Sequence, residues 1–125
     1  MKIDVSIGEV FDKITILQIK LEKIKDHEKL KHIEYELKIL EKILQESKID
    51  ISSNLLQRLR EVNETLWDTE DIIRDKEEKE EFDTEFIKHA RLDAKLNDQR
   101  FLIKNEINLF FDSQIKEQKS YEKLY

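Results

Sequence analysis

Apolar residues recur at helical spacing along most of this 125-residue chain, beginning directly after Ser6. In the first stretch they follow one another at alternating intervals of three and four residues, the pattern of one helix face: Ile7, Val10, Ile14, Leu17, Leu21 and Ile24. Ile16 and Ile19 fall on the opposite side, among charged residues. A helix that is apolar on two sides packs against neighbours on two sides. The pattern therefore predicts that the first helix is the central helix of a bundle.

The start of this helix has its own signal. Ser6 can accept a hydrogen bond from the backbone N–H of Glu9, and the Glu9 carboxylate can reach back, which makes a capping box. Val5 and Val10 have the spacing of a hydrophobic staple across the same turn. We therefore expect the helix to begin next to Ser6.

The same periodicity predicts three further helices. In the second, Leu30, Ile33, Leu37, Leu40 and Leu44 share one face, with Tyr35, Ile39 and Ile43 on its flanks. Asp26 can cap this helix, Ser52 or Ser53 the third, and Asp83 or Thr84 the fourth. The predicted helices cover residues 7–24, 27–46, 53–78 and 84–111, followed by a tail at 112–125.

Short connections make consecutive helices antiparallel neighbours. The fold class is therefore all-α: one domain of two antiparallel helical hairpins that form a four-helix bundle-like structure. The first and fourth helices are expected to be buried on two faces. In the fourth, Leu92, Leu96, Ile103, Ile107 and Phe110 form the main stripe, and small residues at Ala90 and Ala94 permit close helix packing beside it. One continuous helix through Asp26 is the alternative, but it would leave both of its apolar stripes exposed.

Composition supports this picture and narrows the location. The chain has no proline, one glycine, no cysteine and 42% charged residues, as expected of a helical protein in a reducing compartment. No apolar run is long enough for a membrane span, and the N-terminus lacks the pattern of a signal peptide. We therefore expect a cytoplasmic protein with no membrane association.

The charge is concentrated in one segment. The net charge is −6, and residues 68–85 alone carry ten acidic against three basic side chains, so that the rest of the chain is close to neutral. Nucleic-acid binding needs a basic surface, which this distribution does not provide. The stretch 74–81 has no apolar residue and is predicted to be a solvated end of the third helix or a frayed turn.

Gly8 is the first candidate for a functional position, because glycine in the first turn lowers helix stability. One interpretation is a close approach of a ligand, since a helix N-terminus is a natural anion site. The other is packing of a side chain such as Trp67 or a tail tyrosine. The second is favoured because Glu9 in the same turn would repel an anion.

Polar lines on the third and fourth helices give the remaining candidates. Together with the first helix they define a candidate polar pocket made of Gly8, Lys13, Asn63, Trp67, Glu70, Arg74, Asn97, Arg100, Lys104 and Asn108. Such residues suit a small phosphate or carboxylate ligand. They equally suit interhelical hydrogen bonds and ion pairs that fix which helix faces meet, and this second interpretation is favoured because ion-pair networks imitate sites.

Metal and cofactor chemistry find little support. A di-iron bundle needs Glu-x-x-His on two helices, and none of the three histidines has a glutamate three residues before it. Glu61 with Glu64 and Glu80 with Asp83 match the letters of a magnesium-dependent hydrolase, but such matches arise by chance among so many carboxylates. No catalytic triad, phosphate-binding glycine loop or nucleophilic cysteine is present. We expect no metal and no cofactor, and favour a protein that is not an enzyme.

Three stretches resemble the signatures of a known family. They are 6–17 with Lys20, then 62–71, then 97–109 followed by Lys119, Ser120 and Tyr121. In this order they are similar to a family of small all-helical bacterial proteins of unknown function. The resemblance implies no activity, but it marks Gly8, Asn63, Trp67, Asn97 and Asn108 as motif positions, for packing or for function.

The sequence thus favours a protein-interaction or assembly module that pairs with itself or with another protein. Ile16, Ile19 and the seam of Ala90, Ala94 and Phe101 exceed what one hairpin stack covers, which predicts a homodimer. The alternative is a small-anion binder or enzyme that uses the candidate polar pocket.

Overall fold

Four helices follow one another in the computed structural model, which describes residues 1–50 and 54–111. They are α1 (Ile7–Lys23), α2 (His27–Glu46), α3 (Asn54–Glu78) and α4 (Thr84–Phe110). The described residues contain no strand, and the helices pack against one another. The all-α, four-helix bundle-like fold class is therefore confirmed.

Local capping determines where three of the helices begin. The Ser6 hydroxyl accepts from the Glu9 backbone N–H at 3.1 Å at the start of α1. Asp26 accepts from two backbone N–H groups at the start of α2, and Asp83 accepts from the Phe86 N–H at the start of α4. The predicted serine caps of α3 lie outside the described residues. The chain is extended at Ile24, so α1 and α2 form a hairpin and the continuous-helix alternative is wrong.

The central position predicted for the first helix is confirmed. α1 packs against α2, α3 and α4, whereas α2 packs against α1 alone within the described part of the chain. Ile14 and Leu17 are 0% and 5% exposed on one side of α1, and Ile19 is 1% exposed on the other. The apolar core forms around α1 from all four helices: Phe11, Ile14, Leu17, Ile33, Leu37, Leu44, Leu59, Ile103 and Ile107. α2 thus shares the core but lies on its outside.

The acidic segment closes the hairpin of α3 and α4. α3 continues to Glu78, and the chain then turns through Glu80, which has a left-handed backbone with φ 56°. Lys76 lies beside the turn and pairs with Asp83 at 3.0 Å and with Glu81 at 3.7 Å. The segment is therefore the helical end of α3 followed by a turn that contains backbone hydrogen bonds. It is not frayed, which was the alternative from the sequence.

The predicted burial of α4 needs a correction. Ala90 and Ala94 are exposed, so this small-residue pair is not a site of close helix approach among the described residues. Leu92 and Phe110 of the predicted main stripe are 36% and 70% exposed. For Ala90, Leu92 and Ala94 the reason is axial position, because the polar contacts between α1 and α4 lie at Arg100, Lys104 and Asn108, in the C-terminal half of α4.

None of the described helices combines the length and the apolar character that crossing a bilayer requires.

Candidate functional site

The second buried face of α1 is polar over its first half. Gly8, Asp12, Thr15 and Ile19 follow each other at intervals of four, three and four residues, which places them on one side of the helix. Asp12 is 2% exposed and Thr15 is fully buried. A buried carboxylate is stable only when it is paired and hydrogen-bonded. The neighbours of Asp12 therefore determine what this face does.

Asp12 binds an arginine from α4 and an amide from α3. Arg100 Nε donates to Oδ1 at 2.9 Å and Nη2 donates to Oδ2 at 2.5 Å, a bidentate pair. Asn63 Nδ2 donates to Asp12 Oδ1 at 2.9 Å and to Thr15 Oγ1 at 2.8 Å. Thr15 in turn donates to the Asp12 backbone carbonyl at 2.8 Å. These four residues, called the Asp12 cluster below, join three helices through one carboxylate.

Gly8 is the point where the backbones of α1 and α4 come closest. A Cβ atom at this position would lie 2.5 Å from the Lys104 carbonyl oxygen and 2.9 Å from Asn108 Oδ1. The Gly8 N–H donates to that same Asn108 oxygen at 2.7 Å. The close approach is therefore made by α4 itself. The Asn108 side-chain amide accepts from the Gly8 N–H, the group that an anion at this helix N-terminus would bind. Trp67 is not the residue above Gly8, and the tail tyrosines lie outside the described residues.

One turn away, a buried lysine pairs with the cap region of α1. Lys104 Nζ lies 2.8 Å from Glu9 Oε2, and the lysine side chain is only 6% exposed. The Glu9 carboxylate, considered for a capping box with Ser6, is thus directed at α4. Gly8, Glu9, Lys104 and Asn108 fix the start of α1 against the C-terminal half of α4.

The ten residues of the candidate polar pocket are placed in several different environments. Asn63 and Arg100 belong to the Asp12 cluster, and Gly8, Lys104 and Asn108 form the neighbouring contact. Asn97 donates to the Asp93 backbone carbonyl at 3.0 Å. Lys13 points to α2, where it pairs with Glu36 at 2.9 Å on an exposed surface. The described residues therefore do not form one pocket that collects all ten.

Trp67, Glu70 and Arg74 share a separate cavity with Asp71, of about 90 Å³. Burial raises the pKa of Glu70, and a hydrogen bond with Asp93 raises the pKa further, whereas Arg74 and Arg100 lower it. Asp93 Oδ1 is buried and receives no hydrogen bond from the described residues. A proton on Glu70 fits the hydrogen bond with Asp93, because one of two hydrogen-bonded carboxyl groups must donate. The cavity is far below the roughly 300 Å³ of a typical ligand pocket.

A larger cavity of about 430 Å³ lies along α4, lined by Thr84, Ile87, Lys88, Arg91, Leu92 and Lys95. All of these described residues belong to one helix, whose surface is convex, so they do not enclose a ligand. No group of three or more metal-binding side chains occurs in the described ranges. These features favour neither a substrate pocket nor a metal centre.

Sequence reasoning missed Asp12 and Thr15 as parts of the polar site. The signal was available, because both share a helix face with Gly8 and with the apolar Ile19. An apolar residue on an otherwise polar face indicates that the face is covered, and the polar residues beside it are then buried as well. Nothing in the sequence pattern indicated that Asp93 lies beside Glu70 and Asn97.

The outer side of α2 contrasts with these closed contacts. Tyr35, Ile39 and Ile43 follow each other at four-residue intervals and are 69%, 41% and 46% exposed. They form one line, called the outer stripe below, which starts at Tyr35 opposite the buried Ile33, Leu37 and Leu44 and ends at Ile43 on the flank of that buried face. Single exposed apolar residues are common on protein surfaces, but a continuous row indicates a contact surface.

Comparison with protein families gives one match, which covers residues 1–124 and is described as a family of unknown function, DUF6165. The chain belongs to DUF6165. This membership confirms the resemblance to a family without assigned function. No curated protein and no solved structure matches the chain.

Proposed function

We propose that this DUF6165 protein is a non-enzymatic interaction module that forms a homodimer through the outer stripe of α2. The observation that carries the proposal is the row of Tyr35, Ile39 and Ile43, which are large, apolar and exposed. α2 has a single neighbouring helix among the described elements, so a broad side of it is available to a partner. Covering such a row removes apolar surface from water, which drives association.

The internal polar contacts support a structural role for the candidate pocket. Arg100 is held by Asp12, and Lys104 is held by Glu9. A phosphate or carboxylate ligand would have to compete with these carboxylates, which are already in contact with the cations. The network therefore positions α1 against α3 and α4, and this argues against the small-anion alternative.

The residues that support a dimer in the structure are not those that suggested it in the sequence. Ile19 is buried inside the protomer, and Ile16 is half-buried there. Neither residue supports an interface between protomers. Ala90 and Ala94 are exposed but offer little apolar surface. The support for self-association comes from α2 instead.

The composition favours a protein partner in a reducing compartment. The net charge of −6 disfavours nucleic acid, and a chain without cysteine suits the cytoplasm. A second copy of the chain is the simplest protein partner, because one surface then serves both sides of a two-fold interface.

Light scattering coupled to size-exclusion chromatography tests the dimer. We expect the wild-type protein to shift from monomer to dimer as its concentration rises through the micromolar range, and the Ile39→Lys variant to stay monomeric. Ile87→Lys is the matched control, because Ile87 is 56% exposed on α4 and lies outside the outer stripe. Circular dichroism verifies that both variants remain helical. A wild-type monomer at high micromolar concentration, or dimers of Ile39→Lys as stable as those of wild type, would overturn the proposal.

A thermal-shift screen tests the non-enzymatic part. A ligand that binds only the folded state raises the melting temperature by mass action. We expect no shift with nucleotides, sugar phosphates or dicarboxylates at millimolar concentration. A dose-dependent shift that Arg74→Ala removes would instead support the small-anion binder.

A further inference from the structure

We draw no further inference here: the strongest candidate, the exposed basic and apolar face of α4 that includes Ile87, Lys88, Arg91 and Leu92, carries none, because nothing in the described part of the structure shows what covers it.

Discussion

A single glycine determines how closely α1 and α4 approach. At Gly8 the space that a Cβ atom needs is filled by the Lys104 carbonyl oxygen and by Asn108 Oδ1. A side-chain atom could move aside, but the carbonyl belongs to the backbone of α4. Any larger residue must therefore push the two helices apart.

Gly8→Ala is expected to destabilise the protein by about 1–3 kcal/mol, the usual cost of overpacking. This is opposite in sign to the gain of up to about 1 kcal/mol that alanine gives over glycine in an unobstructed helix. Chemical denaturation measures the difference, with the exposed Gln99→Ala substitution in α4 as control. A more stable Gly8→Ala variant would contradict the close contact.

Asp12 accepts hydrogen bonds from two side chains of other helices, Arg100 and Asn63. Asp12→Ala removes the bidentate acceptor of the Arg100 guanidinium and one of the acceptors of the Asn63 amide, and breaking a buried pair costs about 3–5 kcal/mol. Because the Arg100 side chain is 29% exposed and can reach water, we expect a loss of about 2–4 kcal/mol in the free energy of unfolding.

The neighbouring residue provides the control for Asp12. Lys13→Ala removes an exposed ion pair with Glu36 and is expected to cost less than about 1 kcal/mol. Urea unfolding of both variants compares the two positions. Equal losses would show that the Asp12 cluster does not stabilise the fold.

Glu70 is expected to make stability depend on pH. Its pKa is raised in the folded protein by burial and by the hydrogen bond with Asp93. The folded state therefore holds the proton more tightly than the unfolded state, and the contribution to stability is lost as pH rises through the raised pKa.

Glu70→Gln keeps a donor for Asp93 and cannot ionise, so its stability relative to wild type is expected to increase between pH 4 and neutral pH. Thermal unfolding across this range measures the difference, with Glu77→Gln on the exposed side of α3 as control. A difference that does not vary with pH, or that has the opposite slope, would exclude the shared proton.

The sequence predicted which side chains are polar and on which helix face they lie, but not how they pair. Asp12 and Arg100 are 88 positions apart, and their contact depends on how α1 is aligned along α4. Helical periodicity describes the direction of a side chain around its own axis and says nothing of that alignment. The sequence therefore did not show that the ten candidate residues lie in several separate environments.

Helix starts and stops are the most local features of this chain, and they were the most predictable. The caps at Ser6, Asp26 and Asp83 follow from residues within one turn of each helix start. The faces of α2 were equally readable, because its buried leucines and its outer stripe have separate helical registers. Burial along α4 was not readable, since it depends on which part of the helix α1 reaches.

The ends of α2 and α3 use a left-handed residue that is not glycine. Lys48 has φ 59° and Glu80 has φ 56°, and the following N–H bonds back to the last helical turn in both cases. This is the geometry in which glycine is most favourable, because a side chain disfavours the left-handed region.

Glu80→Gly is expected to stabilise the protein by about 0.5–1 kcal/mol, which thermal unfolding can measure. Glu77→Gly, inside α3, is the control and is expected to lower stability by a similar amount. If both substitutions destabilise, the turn does not depend on the backbone conformation of Glu80.

At the scale of the whole molecule, α2 is the peripheral helix. It packs on α1 only, whereas α1, α3 and α4 contact one another in the described part of the chain. An element with one neighbour can open without disrupting the rest of the structure. The bundle is therefore better described as three mutually packed helices with α2 on the outside.

Hydrogen exchange is expected to show this difference. In dilute solution, where the chain is monomeric, amides in the middle of α2 should exchange faster than those in the middle of α1. At high protein concentration the difference should diminish, because a partner then covers α2. Equal protection of both helices in dilute solution would contradict the peripheral position of α2.

The sequence suggested self-association partly from Ile19, which is buried within one protomer. A sequence shows that a helix has two apolar sides but not whether the same chain covers both. For Ile19 it does, and for the outer stripe of α2 it does not. Only the three-dimensional arrangement separates these two cases.

The close contact at Gly8 also limits how far α1 can shift along the axis of α4. A displacement of α1 by one turn, about 5.4 Å, would bring Asp12 to the place of the glycine, directly against the main chain of its neighbour. No side chain fits there. Gly8, the one glycine of the chain, therefore fixes the axial position of α1 along α4. An insertion before Gly8 is expected to lengthen the N-terminal segment and to leave the helix in place.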